Sequence, residues 1–147
     1  MQVAAVLVAL ALALAVPSSS AERKCILTGT WVNDFGSNMT INAVNDKGEF
    51  SGTYNTSVAD NPNDIRGSPL QGFQHSREQP TFGFTVKWNF SESTSVFVGQ
   101  CFVDKHGQET LKTVWLMRLR VNNIHDNWQA TRVNVNTFTR SVGHCTE

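Results

Sequence analysis

No pattern for covalent, phosphoryl-transfer or metal chemistry occurs in this sequence. There is no G-x-S-x-G, no H-E-x-x-H, no Walker loop and no C-x-x-C. His75, His106, His125 and His144 lie in predicted loops or the tail without metal-ligand spacing, so no metal site is expected. An excess of charge of one sign is missing too. Lys+Arg and Asp+Glu number 12 each, with no basic stripe or acidic block, which excludes the electrostatic footprint of a nucleic-acid or anionic-membrane partner. Helical periodicity is hard to find beyond the first residues. These absences point away from an enzyme and toward a protein whose partner is small and neutral or singly charged.

What is present begins with a leader. Residues 3–16 are an unbroken run of Ala, Val and Leu, followed by Pro17, three serines and Ala21. The run is too short to span a bilayer comfortably and ends in small residues, so residues 1–21 read as a secretory signal peptide. The remainder, 22–147, is one domain's length, expected to be secreted and extracellular with no membrane partner. Three cysteines in a secreted chain imply one disulfide and one thiol left over. Cys25 and Cys101 lie in strand-like surroundings whereas Cys145 is two residues from the end, which pairs Cys25 with Cys101. Cys145 could then crosslink a second chain, carry a small-thiol cap, or stay free.

Short alternating runs with turn residues between them predict strands at 26–33, 39–44, 49–56, 69–73, 81–90, 94–103, 109–121 and 128–139. Asn45-Asp46-Lys47-Gly48 is a strong turn, and 57–68 and 122–127 read as polar loops. Eight short strands in sequence predict an all-β antiparallel meander, closed into a barrel to remove its edges. In 81–90, Phe82, Phe84, Val86, Trp88 and Phe90 share one parity, while Asn89 on the other opens a glycosylation sequon. Val114 and Leu116 are apolar on the parity opposite Leu111, Trp115 and Met117, and Val133 and Val135 alternate with amides. Apolar residues on both faces of a strand predict a subunit interface.

Four tryptophans, Trp31, Trp88, Trp115 and Trp128, are joined by Phe90 and Phe97, with hydroxyls and amides close by in sequence. Composition leaves two readings open: a packed aromatic core, or a small-molecule pocket with apolar walls and a few convergent polar groups.

The residues narrow this further. Cys25 with "LTGTWVND", then "GSNMTI", "GEFSGTY", "SPLQG", "QPTFGFTVKWNFSEST", "VFVGQCF", "LKTVWLMR" and "ATRVNVNTFTR" resemble the biotin-binding avidin family over nearly the whole mature chain. The resemblance implies an eight-stranded antiparallel up-and-down β-barrel, a homotetramer, and one biotin per subunit with no other cofactor. Asn33, Ser37 and Tyr54 would donate to the ureido oxygen, and Thr56 and Asn136 would accept from the ureido N–H groups. Ser95 would meet the thioether sulfur. Trp88, Phe97, Trp115 and a neighbouring subunit's Trp128 would box the bicyclic ring, with Phe90 beside them. Ser91, Ser93 and the Ala59-Asp60-Asn61 loop would meet the carboxylate. The family's disulfide corresponds to Cys25–Cys101, in agreement with the pairing above.

Some positions depart from that pattern. Asp60 places a carboxylate in the loop expected to receive the ligand's own, Pro62 stiffens that loop, and Phe35 and Met117 are larger or more flexible than the usual aliphatics. Sequons occur at Asn38, Asn55 and Asn89. The expected function is biotin sequestration, denying the vitamin to microbes. The competing expectations are the same scaffold carrying another small molecule, or a structural glycoprotein.

Overall fold

The computed structural model describes residues 23–57 and 67–142. The expected signal peptide, the loop residues Ala59, Asp60, Asn61 and Pro62, and Cys145 lie outside the described residues. Eight strands follow one another: β1 (Gly29–Asn33), β2 (Asn38–Ile41), β3 (Glu49–Asn55), β4 (Ser68–Gln74), β5 (Thr81–Lys87), β6 (Thr94–Val103), β7 (Glu109–Arg118) and β8 (Thr131–Arg140). Each pairs antiparallel with the next and β8 pairs with β1, so the sheet closes as the expected up-and-down barrel.

Inner positions alternate with outer ones as the sequence predicts. Phe82, Phe84 and Val86 of β5 are buried while Thr81, Thr85 and Lys87 are exposed. Trp31, Met39, Ile41, Phe50, Leu111 and Phe138 fill the interior below.

Three connections are built alike. Asn33, Asn45 and Asp104 each begin a five-residue turn in which the side-chain oxygen accepts the N–H groups two and four residues on. The fourth residue is a glycine each time, Gly36, Gly48 and Gly107, with φ of 82°, 81° and 81°. Side chains rarely tolerate that left-handed backbone, and a short acceptor at the first position satisfies the turn's N–H groups. The 45–49 and 104–108 turns stand at one end of the barrel and 33–37 at the other.

The end that carries 45–49 and 104–108 is sealed. The N-terminal segment crosses it, tied by the Cys25–Cys101 disulfide. Arg140 lies over the Trp31 ring, 3.9 Å from its centroid. Its guanidinium also donates to Thr28 O at 2.8 Å and to Ile26 O, and pairs with Glu109 at 2.9 Å. Because residues 26–28 make this floor, β1 begins at Gly29 rather than at Ile26.

Three expectations at the other end need correction. The strand expected over 81–90 ends at Lys87, so Trp88 and Phe90 follow β5 and do not lie in it. β7 stops at Arg118, short of residue 121, and the next segment contains a 3-10 turn, Ile124–Gln129, where a plain loop and the start of the last strand were expected. Trp128 therefore lies on this turn and not in β8. Asn123 caps the turn by accepting His125 N–H at 3.0 Å and donates to Asp126 at 2.7 Å. With none of its six residues buried, the turn has no apolar periodicity to betray it.

Outside the barrel, Val114, Leu116, Val133 and Val135 are all exposed, as their parity predicts. The register sets Val114 opposite Val135 and Leu116 opposite Val133. Val96 and Val98 extend the patch on the other side, opposite Leu116 and Val114. The sequons also face outward. Asn38 and Asn55 are cross-strand partners, with Asn55 Nδ2 donating to Asn38 Oδ1 at 2.9 Å, and exposed Asn89 donates to Gly67 O at 2.8 Å. Among the described residues no helix is long and apolar enough to cross a membrane.

Candidate functional site

The unsealed end of the barrel holds a cavity of about 520 Å³. Its depth is set by Tyr54, which projects inward from β3 and is 3 % exposed. Phe138 closes against the Tyr54 ring edge-on at 6.3 Å, separating cavity from core. Burial pushes the Tyr54 phenol well above its usual range, with hydrogen bonds from Ser37 and Asn33 only partly opposing. The group is therefore a proton-bearing donor at any physiological pH.

Asn33 stands beside it, its Nδ2 donating to Tyr54 Oη at 3.2 Å. The 33–37 turn decides what Asn33 can offer. Its oxygen is occupied by Phe35 N–H at 3.0 Å and Ser37 N–H at 2.9 Å, so what it can offer the cavity is the one Nδ2–H not given to Tyr54. Ser37 Oγ accepts Ser57 N–H at 3.0 Å and lies 3.2 Å from Ser57 Oγ. These contacts hold Ser37 against the same wall. Asn33 and Tyr54 thus offer donors to the cavity. The Ser57 hydroxyl donates to Phe35 O at 2.7 Å, so in the 3.2 Å contact it is Ser37 that donates to Ser57, and Ser37 turns to the cavity only by leaving that bond.

Asn136 has the reverse polarity. Its Nδ2 donates to Asp34 Oδ1 at 2.8 Å, across 102 residues of sequence. A carboxylate accepts and does not donate, so the amide orientation is fixed and its oxygen is left as an acceptor for the cavity, which Thr56 also lines. Asp34 holds position by accepting Thr137 N–H at 3.4 Å, and Thr113 Oγ1 donates to Asn136 O at 2.9 Å.

The walls are aromatic. Trp88 meets Tyr54 edge-on at 5.2 Å and Phe90 at 5.4 Å, while Phe97 lies 6.5 Å from Trp115. Ser95 Oγ accepts Trp88 Nε1–H at 2.8 Å, which leaves the serine its own proton to donate. Nearer the mouth, the Ser91 and Ser93 hydroxyls hydrogen-bond to each other.

Every cavity residue named from the sequence that lies within the described residues lines this space, apart from Trp128. That indole is 81 % exposed on its 3-10 turn and takes no part in the cavity of its own barrel. Phe35 and Met117 line the mouth, as expected of residues that reshape it. Leu119, Arg132 and Asn134 line it as well, and sequence reading missed them. Parity could have found the last two, since Arg132 and Asn134 share the inner face of β8 with Asn136 and Phe138.

Comparison with known proteins agrees with this architecture. The profile described as "Avidin family" matches residues 21–141. Over 135 residues the chain is 69% identical to Avidin-related protein 1 of Gallus gallus, covering 91% of this chain and 89% of that one. It is 61% identical over 137 residues to Avidin of the same organism, covering 91% and 90%. Among solved structures, a biotin binding protein from chicken superposes with a TM-score of 0.77 at 53% identity, covering 82% of this chain and 99% of that one.

Proposed function

The chain belongs to the avidin family, and we propose that it is a secreted protein that binds biotin without covalent change, one molecule per barrel. The observation that carries this reading is the opposed polarity of the cavity floor. Biotin's ureido group is planar, with one carbonyl oxygen that takes several donors and two N–H groups that need acceptors. Asn33 and Tyr54 supply donors and Asn136 supplies an acceptor, with Ser37 and Thr56 lining the space beside them, where they would add a further donor and acceptor to a bound ureido group. Inside a dry site such hydrogen bonds are stronger than in water and cost no reorganisation.

The rest of the ligand matches the rest of the cavity. Trp88, Phe97 and Trp115 would enclose the bicyclic ring, Ser95 would donate to the sulfur, and Phe90 would flank the alkyl chain. Ser91 and Ser93 would receive the carboxylate, together with the Ala59-Asp60-Asn61 loop. Below Arg132 the polar groups are hydroxyls, amides and a phenol held protonated, which suits retention and not turnover.

Assembly as a homotetramer completes the reading. The apolar face of Val114, Leu116, Val133 and Val135 would be covered by a second barrel, and exposed Trp128 would cap the cavity of a neighbour. N-glycans on Asn38, Asn55 and Asn89 would stay on the outer surface, and Cys145 could crosslink chains. Sequestering biotin from microbes follows from tight binding in a secreted protein. The test is retention of the secreted protein on immobilised biotin. Retention that free biotin abolishes supports the reading, and passage through the column refutes it.

A further inference from the structure

The cavity is longer than the constellation that would hold biotin. Along the inner face of β8, Asn136, Asn134 and Arg132 succeed one another toward the mouth. At strand spacing Arg132 stands about 13 Å beyond Asn136. Arg132 is directly opposite Met117 across the β7–β8 ladder, and Asn134 is opposite Trp115. The outer part is therefore lined by apolar Met117, Leu119 and Phe35 beside a cation and an amide. The Arg132 guanidinium pairs with no carboxylate among the described residues, unlike Arg120 and Arg140.

From this we infer that the outer cavity is a second subsite, for a short aliphatic chain ending in a carboxylate and joined through an amide to the carboxyl of the ligand below. This rests on the biotin reading. Joining an amine to biotin's carboxyl turns the charge that Ser91 and Ser93 would meet into a neutral amide. If the amine is the ε-nitrogen of lysine, its methylenes run along Met117 and Leu119. The remaining negative charge, the α-carboxylate, then emerges where Arg132 and Asn134 stand. Arg132 favours this carboxylate through a charge-assisted hydrogen bond with the planar fork of its guanidinium.

The test uses the full secreted protein and two probes, the ε-lysyl conjugate of biotin with its α-amine acetylated, and the methyl ester of that conjugate. Release rates of both are measured for the unsubstituted protein and for Arg132→Gln. The unsubstituted protein is expected to release the carboxylate about threefold more slowly than the ester at low salt, the size of a solvent-facing ion pair. That ratio should shrink toward one in high salt and in Arg132→Gln. A merely structural role would change both rates together and leave the ratio intact. A ratio of one in the unsubstituted protein, or a ratio that Arg132→Gln preserves, would overturn the inference. If the unsubstituted protein retains neither conjugate nor free biotin, the biotin reading itself falls and this subsite falls with it.

Discussion

The side-chain oxygen of Asn33 accepts the backbone N–H of Ser37 at 2.9 Å. That bond makes the β1–β2 turn and also fixes which half of the Asn33 amide faces the cavity. The 45–49 and 104–108 turns at the sealed end use the same device with Asn45 and Asp104, so the turn accepts either an amide or a carboxylate. The cavity does not, because only the amide can donate.

Asn33→Asp separates the two roles. The turn is kept and the thermal midpoint without ligand should fall little. Biotin binding should weaken on the order of 100-fold, since a donor is lost and a negative charge faces the ureido oxygen. Thermal melts paired with release rates check this. Equal loss of fold and binding would place Asn33 in the turn alone.

Asp34 reaches the ligand chiefly through Asn136, whose amide it orients. Asp34→Ala should free the Asn136 amide to rotate and weaken biotin about tenfold, a little over 1 kcal/mol. Asp34→Asn can still present an oxygen to Asn136 Nδ2 and should recover most of that loss. Failure of the asparagine to recover binding would show that charge, and not orientation, is what Asp34 supplies.

The chain contains a single tyrosine, so tyrosinate absorbance reports Tyr54 alone. Its folded pKa lies above the ordinary 10.0. A raised pKa means the folded protein holds the phenol proton more tightly than the unfolded chain. The associated stability is whole below pH 10 and is lost as pH climbs from there toward the folded value. The native protein should show no tyrosinate step near pH 10, biotin release should stay flat up to that pH, and unfolding should bring the step in. A native titration at the ordinary value would mean the floor of the cavity is wet.

The outer valine patch predicts assembly. Val114→Lys puts a charge between Val98 and Val135, its cross-strand partners. Light scattering should then report a smaller particle than for the unsubstituted protein. Biotin release should quicken on the order of tenfold as the neighbour's Trp128 cap is lost, as expected of a tryptophan anchor. An unchanged mass would free that face of any role in assembly.

The barrel could be read from the sequence because alternation is local, and most of the cavity could be named because of the family resemblance. Phe82, Phe84 and Val86 announce their face without knowledge of any partner strand. What escaped depends on closure. Asp34 meets Asn136 only because β8 returns to β1, across 102 residues that no local pattern spans. Val96 and Val98 were hidden because Phe97 between them is apolar too, so β6 shows no clean alternation. Trp128 stands at the start of the strand that alternation predicts over 128–139, whereas the Asn123 cap draws it into a six-residue turn.

The central claim is that this cavity binds biotin, and tryptophan fluorescence during a biotin titration tests it most directly, read with the thermal midpoint. Quenching that saturates at one biotin per chain, with a raised midpoint, is the predicted result, because Trp88 and Trp115 line the cavity and a ligand that binds only the folded state stabilises it. Unchanged fluorescence and an unmoved midpoint at saturating biotin would contradict the account.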